Sequence, residues 1–315
     1  MSSSLLDRIT WSSYPIPATV AAPTVGVSVG RVGDASPVGL LVAGQHGDEG
    51  PWGTRAIMRF LESTPSDALL GSLRVVPAAN PLAYEENSRT AHIDGDDVNM
   101  EFPGDALGKH TSRLAAVLRH QAVDGADVVL DVHGGGSWCV NCFVYRFAGS
   151  HEVAAAIGAP FVRDGPERGT TSLTGYALSR GAKAAWIEVG GAGAEEERWA
   201  GAVADGIARA LAMTGVIKAD TAPPATHEPR LLDGPVTSMR TSAAGIYHPL
   251  LRESDVGRVV VGETEIGRLI DPLTLRVVET YRAPHDKTAI MLLRPTIAVM
   301  EGGEMVCVVG AIPRS

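Results

Sequence analysis

Residues 40–50, LLVAGQHGDEG, join an apolar run to a turn that carries His46 and Glu49. The run is short enough to be a buried strand. Residues 52–61 place apolar side chains at helical spacing, so the pattern predicts strand, turn and helix. In open α/β sheets, ligands bind beyond the carboxyl ends of the strands. The His-x-x-Glu spacing therefore suggests a pair of metal ligands at the sheet edge, although an ordinary polar surface turn is the simpler alternative for this motif alone.

Two further apolar runs end in side chains that can do chemistry. Residues 127–136, DVVLDVHGGG, lead to His133, and residues 184–191, AAWIEVGG, carry Glu188. Asp131 shares a strand face with His133, where a carboxylate can orient a ligating imidazole; the alternative is that the two residues act independently. The glycines after His133 leave space for something to approach. A lone histidine here is more simply a hydrogen-bonded core residue.

Taken together, the three strand ends match one kind of site. Two imidazoles, one carboxylate ligand and an open fourth position describe a catalytic zinc centre. A further carboxylate, Glu188, is costly in an apolar strand unless it is paired or functional. Such a group can take a proton from water and pass it to a leaving nitrogen.

The order of the predicted elements indicates an α/β fold. Strands and helices alternate to about residue 216, which predicts a mostly parallel mixed sheet with helices on both faces. Residues 218–229 are rich in Pro, Ala and Thr and predict a linker. Short strands between Gly and Pro turns then predict a small all-β domain. We expect a catalytic domain at 1–217 and a C-terminal β-domain at 230–315.

Two stretches are less regular than the rest. Residues 1–38 predict a single strand, at 24–32. Residues 85–104, EENSRTAHIDGDDVNMEFPG, follow neither a helical nor a strand period. Loops of this length inside a compact domain are usually functional or disordered. The turn residues and the apolar pair Met100 and Phe102 favour an ordered loop.

Composition limits the class of protein. The chain has 315 residues, of which 45% are hydrophobic and 20% charged, as in ordinary globular proteins. The net charge of −9 argues against a nucleic-acid-binding protein. No apolar run approaches the roughly 18 residues of a membrane span, and the N-terminus lacks a signal-peptide pattern. We therefore expect a cytoplasmic protein without nucleic-acid or membrane partners. Its oligomeric state stays open, a homo-oligomer included.

The three cysteines are too few for a disulfide scaffold. Cys139 and Cys142 form a lone C-x-x-C motif within a strand-like run. Redox motifs normally begin a helix, and structural zinc sites usually need two more ligands. Packed thiols are therefore the simpler interpretation.

Four motifs, in this order, resemble the succinylglutamate desuccinylase/aspartoacylase family of the zinc carboxypeptidase superfamily. They are GQHGDEG at 44–50, the NP to FPG block at 80–104, LDVHGG at 130–135 and WIEVGGAG at 186–193. The resemblance covers most of the chain and extends to YRAPHDK at 281–287. It implies one Zn²⁺ per chain, held by His46, Glu49 and His133.

The same resemblance implies roles for other residues. Glu188 falls on the general base, and Arg89 falls on the arginine that polarises the scissile carbonyl and stabilises the oxyanion. Asn99 falls on an asparagine that contacts the carboxylate end of the substrate. The implied function is a zinc-dependent amidohydrolase acting on a small N-acylated amino acid or amine, ester bonds not excluded. The alternatives are a metallocarboxypeptidase acting on a small peptide and a non-catalytic zinc or small-molecule binding protein.

One position departs from the family pattern, which usually has an arginine after Asn99 to bind a substrate carboxylate. Met100 stands there instead. A charge-assisted hydrogen bond contributes roughly 1.5–3 kcal/mol, so its loss weakens carboxylate binding by about 10- to 100-fold. We expect either that this end of the substrate is neutral or that Arg163 or Arg168 binds the carboxylate, and Arg168 is the substrate-binding candidate.

Overall fold

The computed structural model describes residues 3–17, 25–166, 169–191 and 193–312. Its α-helices are α1 (Gly50–Ser63), α2 (Pro81–Glu86), α3 (His110–Leu118), α4 (His151–Ala156), α5 (Leu173–Ser179) and α6 (Glu196–Met213). Its strands are β1 (Thr10–Ile16), β2 (Val25–Val32), β3 (Val38–Ala43), β4 (Ser72–Val76), β5 (Val128–His133), β6 (Val140–Arg146), β7 (Phe161–Asp164), β8 (Lys183–Gly190), β9 (Arg230–Leu231), β10 (Val236–Arg240), β11 (Gly245–Pro249), β12 (Val259–Val261), β13 (Glu265–Ile270), β14 (Val277–Arg282), β15 (Lys287–Leu293), β16 (Ala298–Met300) and β17 (Met305–Ala311).

Among the described residues, a 13-stranded mixed sheet follows the order β1-β2-β4-β3-β5-β8-β6-β15-β17-β10, with β12, β7 and β9 paired at its sides. Strands β4, β3, β5 and β8 are parallel to one another. The pairs β1/β2 and β6/β8 are antiparallel. The predicted mixed α/β sheet is confirmed, and its parallel strands are those that carry the site.

Helices cover both faces of this sheet because side chains alternate along its strands. Leu41 and Ala43 of β3 belong to the core that contains α1 and α6. Leu40 and Val42 belong to a second core with α3 and α5. The apolar stripe predicted for residues 52–61 is the buried face of α1, which packs beside α6.

The C-terminal part of the chain is rich in strands, as predicted. Strands β10, β12, β15 and β17 extend the main sheet, and β15 pairs with β6 through Leu292 and Asn141. Strands β11, β13, β14 and β16 form a second, four-stranded sheet within the described residues. The division into domains at 1–217 and 230–315, with a linker at 218–229, stays a prediction.

The sequence analysis missed several strands. Residues 1–38 hold β1 in addition to β2, and β7 and β13 were also not predicted. Strand β1 lies at the sheet edge and exposes most of its side chains, so it lacks the apolar alternation that marks a half-buried strand. Strand β7 spans only four residues, too few to show a period.

The polar stretch at 85–104 is ordered, as predicted. Asp97 accepts a hydrogen bond from the backbone N–H of Asn99 at 2.9 Å and caps a short 3-10 helix, Val98–Met100. None of the helices in the described ranges combines the length and apolar character that a membrane crossing needs.

Candidate active site

The turn after β3 is held by close backbone packing. A Cβ on Gly47 would lie 1.9 Å from the carbonyl oxygen of Ala83, so only glycine allows this approach. The backbone N–H groups of Gly47 and Asp48 donate to the carbonyl of Ser88 at 2.9 and 3.2 Å. Glu49 precedes α1 without capping it. Its carboxylate is therefore free to face the strand ends.

The structure brings the three predicted metal ligands together. His46 Nδ1 lies 2.9 Å from Glu49 Oε1, and His133 Nδ1 lies 3.0 Å from Glu49 Oε2. The two Nδ1 atoms are 3.3 Å apart, and all three residues are buried. Ligands of a tetrahedral zinc ion with bonds of about 2.0–2.1 Å lie about 3.3 Å apart. The donors thus have the chemistry and the spacing of three ligands to one such ion.

A carboxylate orients each imidazole from the side away from the cluster. Asp131 Oδ1 lies 3.2 Å from His133 Nε2, and Asp97 Oδ1 lies 3.2 Å from His46 Nε2. With its proton on Nε2, each ring would donate to this carboxylate and present the Nδ1 lone pair to the cluster. The contact of Asp131 with His133 is one of the two alternatives that their shared strand face left open. Asp97 was missed because a loop without a period does not reveal which of its acids turns inward.

Asp131 belongs to a buried network. Its Oδ1 accepts a hydrogen bond from Gln45 Nε2 at 2.7 Å, and its Oδ2 accepts one from Thr174 Oγ1 at 2.9 Å. Neither donor was predicted, since nothing in an isolated Gln or Thr shows a partner so distant in sequence. The network fixes the carboxylate behind His133.

The cluster is electrostatically suited to a cation. Burial alone would lower the pKa of His133, but the carboxylates of Asp131 and Glu49 outweigh it and raise the pKa well above its usual value. Burial likewise opposes ionisation of Glu49, yet His46 and His133 hold its pKa well below its usual value. Because both Nδ1 atoms face Glu49, the three side chains could hold one cation between them.

Glu188 lies beside this cluster. It is paired in register with His133 across β8 and β5. Asn141 Nδ2 donates a hydrogen bond to Glu188 Oε2 at 2.7 Å. Burial, and then the negative charge of Glu49, raise the pKa of Glu188 to about 7. A carboxylate with a pKa near neutrality is suited to general acid–base work. Asn141 was not predicted to take part.

Arg89 also lies at the cluster. Its Nη2 donates to Asp97 Oδ2 at 2.9 Å, and its Nη1 lies 3.5 Å from Glu49 Oε1. Asn99 is buried and accepts a hydrogen bond from the backbone of Leu173 at 3.1 Å. Its Nδ2 has no hydrogen-bond partner in the part of the chain that the structure describes.

A cavity of about 440 Å³ opens over the cluster. Its lining contains Asp48, Glu49, Arg89, Asn141, Glu188 and Arg163, and, from the C-terminal strands, Val236, Ser238, Arg240, Leu292, Met305 and Val308. The structure describes Asn99 and Met100, and neither residue is among those that line this cavity. Arg168 lies outside the described residues, so its predicted role stays a prediction. Of the two arginines considered as substitutes, Arg163 lines the cavity.

The glycines after His133 serve packing, which corrects the expectation that they leave space. A Cβ on Gly134 would lie 2.1 Å from Nε1 of Trp52, and one on Gly135 would lie 2.0 Å from the carbonyl oxygen of Cys139. The space is filled by an indole ring and by backbone. Cys139 and Cys142 are buried and free, which confirms the prediction of packed thiols.

Comparison with known proteins identifies the family. The family sequence model described as succinylglutamate desuccinylase/aspartoacylase catalytic domain matches residues 36–214. An N-alpha-acetyl-L-2,4-diaminobutyric acid deacetylase from Halomonas elongata is 28% identical in an alignment that covers 98% of this chain and 89% of the relative.

Solved structures share the fold. The product-bound ectoine utilization protein of Ruegeria pomeroyi superimposes with a TM-score of 0.79 at 22% identity, covering 96% of this chain and 95% of the other. A succinylglutamate desuccinylase from Silicibacter gives a TM-score of 0.80 at 20% identity, covering 97% and 95%. At this level of identity the likeness establishes the fold alone.

Proposed function

The chain belongs to the succinylglutamate desuccinylase/aspartoacylase family, and we propose that it is a zinc-dependent amidohydrolase that removes an acyl group from a small N-acylated amino acid. The observation that carries the proposal is the meeting of His46, Glu49 and His133 at ligand spacing. Glu188 stands beside them on the adjacent strand. Three protein ligands with a carboxylate base at hand are typical of zinc hydrolases that attack amides with water.

Each residue at the site has its own role in the proposed reaction. A bound zinc ion supplies a lowered pKa for water and a polarised substrate carbonyl. Glu188 accepts the proton of the attacking water and delivers it to the nitrogen that leaves. Arg89, at the cluster, donates to the oxygen on which negative charge develops. Asn141 holds one oxygen of Glu188 and leaves the other to face the substrate.

The size and the wall of the cavity favour a small substrate over a polypeptide. Its volume of about 440 Å³ lies within the range of small-molecule sites. Side chains from the C-terminal strands, such as Val236 and Met305, form part of its wall. A carboxypeptidase needs an open cleft for the rest of the peptide, so the wall counts against that alternative.

Arg163 is the proposed partner of a substrate carboxylate. It is in register with Tyr145 across β7 and β6, and its guanidinium lies 5.6 Å from the centre of that ring. Among the described residues it makes no ion pair with a carboxylate. It is therefore available to the substrate, whereas Met100 has no charge to offer.

The proposal is tested with a panel of N-acetyl and N-succinyl amino acids, including N-alpha-acetyl-2,4-diaminobutyrate. Each compound is assayed with the zinc-loaded enzyme, with enzyme treated with a chelator, and with chelated enzyme to which zinc is returned. We expect release of free amine that is lost on chelation and restored by zinc. Turnover that is indifferent to chelation, or no turnover of any compound by the zinc-loaded enzyme, would contradict the proposal.

A further inference from the structure

The carboxylate of Asp48 has no role in the chemistry described above. Asp48 lies in the turn between His46 and Glu49 and lines the 440 Å³ cavity that also contains Glu188. It also lines a neighbouring cavity of about 340 Å³ beside Trp52. Its Oδ1 is buried and has no hydrogen-bond partner in the described part of the chain. A buried acceptor without a donor is costly, so this oxygen is poised for a ligand.

Arg89 and Glu188, two other charged residues of the cavity wall, are already engaged. Arg89 is bonded to Asp97 and lies close to Glu49. Glu188 accepts from Asn141. By contrast, the residues that the structure describes place no Lys, Arg or His nitrogen within ion-pair distance of Asp48.

The local backbone keeps the space beside this carboxylate small. Gly136 has φ +63°, and a Cβ there would lie 2.9 Å from Asp48 Oδ2. A side chain at position 136 would therefore press on the carboxylate. The loop after His133 approaches Asp48 with backbone alone, which leaves the carboxylate facing the cavities.

We propose that Asp48 binds a free ammonium group of the substrate and thereby selects N-acylated diamino acids. This inference rests on the proposed function. The scissile nitrogen belongs beside Glu188, which delivers its proton, so the ammonium that meets Asp48 is a second nitrogen of the same molecule. With Arg163 on another part of the wall, the cavity offers one partner to a carboxylate and one to an ammonium.

The test compares two substrates that differ only in this group. These are N-alpha-acetyl-2,4-diaminobutyrate and N-acetyl-2-aminobutyrate, which has the same carbon chain without the second amine. We expect the wild-type enzyme to favour the diamino compound in kcat/KM by about 10- to 100-fold, the value of one charge-assisted hydrogen bond. In Asp48→Asn this ratio falls towards one. Asp34→Asn, at an exposed position, keeps the wild-type ratio.

The ratio separates recognition from a general effect on the metal site. If Asp48→Asn lowers both kcat/KM values by the same factor, the residue acts on the metal site or on folding, and the inference is wrong. A wild-type enzyme that hydrolyses both compounds equally well would also overturn it, while leaving the proposed function intact.

Calorimetric binding of the amine products keeps the two proposals distinguishable. We expect 2,4-diaminobutyrate to bind about 10- to 100-fold more tightly than 2-aminobutyrate, and Asp48→Asn to remove the difference. If no compound of the N-acetyl and N-succinyl panel is hydrolysed but this difference is found, the ammonium site stands and the hydrolase proposal fails. Equal binding of the two amines would refute the ammonium site.

Discussion

The carboxyl ends of β3, β5 and β8 differ in character from the wall that faces them across the cavity. At the strand ends, His46 and His133 are almost fully buried, at 3% and 1% exposure, and each is oriented by a carboxylate. On the facing wall, Arg163 is only partly buried and Arg240 is exposed. Packing allows one arrangement of the side chains at the strand ends. On the facing wall, a side chain can be replaced at little cost in stability.

This difference separates chemistry from selectivity. The ligand cluster stands on adjacent strands of a sheet with two cores, where a small displacement would break contacts on both faces. The wall is assembled from β6, β7, β10, β15 and β17, which come from distant parts of the chain. Variation in the wall alters which substrate fits without disturbing the ligands.

The largest expected effect comes from the strand ends. Glu188→Gln keeps the shape of the side chain but removes its ability to take a proton. We expect kcat to fall by about 10²- to 10⁴-fold, while zinc content stays that of the wild type. Steady-state kinetics and metal analysis on the same preparation check this. Turnover near that of the wild type would exclude Glu188 as the base.

Two carboxylates orient the histidines, Asp131 from the sheet and Asp97 from the 85–104 loop. Replacing each of them compares a sheet position with a loop position. Asp131→Asn and Asp97→Asn should each weaken zinc binding by about 10- to 100-fold. In the metal-free protein, Asp131→Asn should also lower the free energy of unfolding by about 1–3 kcal/mol, because its hydrogen bonds are buried.

In the metal-free protein, Asp97→Asn should change the free energy of unfolding by about 1 kcal/mol or less. The effect is small because Asp97 is partly exposed. Competition with a chelator and urea denaturation measure the two quantities. Equal losses of stability in the two variants would contradict the distinction between sheet and loop.

The smallest effect is expected on the wall. Arg163→Ala should raise KM for an N-acyl amino acid by about tenfold, because the guanidinium is partly exposed and its hydrogen bond is worth the low end of the usual range. The corresponding carboxamide should be unaffected, and Arg8→Ala, at an exposed position, serves as the control. If free acid and carboxamide respond alike, Arg163 does not bind the carboxylate.

The sequence predicted the strand ends better than the wall, for a physical reason. His46, Glu49, His133 and Glu188 each follow or end an apolar run, and the carboxyl ends of parallel strands meet at one sheet edge. Topology alone therefore brings them together. The two-residue period of a strand placed Asp131 on the same face as His133.

The rest depends on contacts that no local pattern encodes. Asp97 lies in a loop, and Asn141 reaches Glu188 only because β6 pairs with β8. The glycine at 134 looked like open space, although its partner is the ring of Trp52 on α1. The short β7, which brings Arg163 to the cavity, has too few residues to show a period.

Zinc content per chain, measured by elemental analysis in parallel on the wild type and on His46→Ala, Glu49→Gln and His133→Ala, tests the central claim most directly. We predict close to one zinc per wild-type chain and far less than one in each variant, with all four proteins folded by circular dichroism. Variants that retain the wild-type zinc content, or a wild-type protein that hydrolyses N-acyl amino acids while free of metal, would contradict the account.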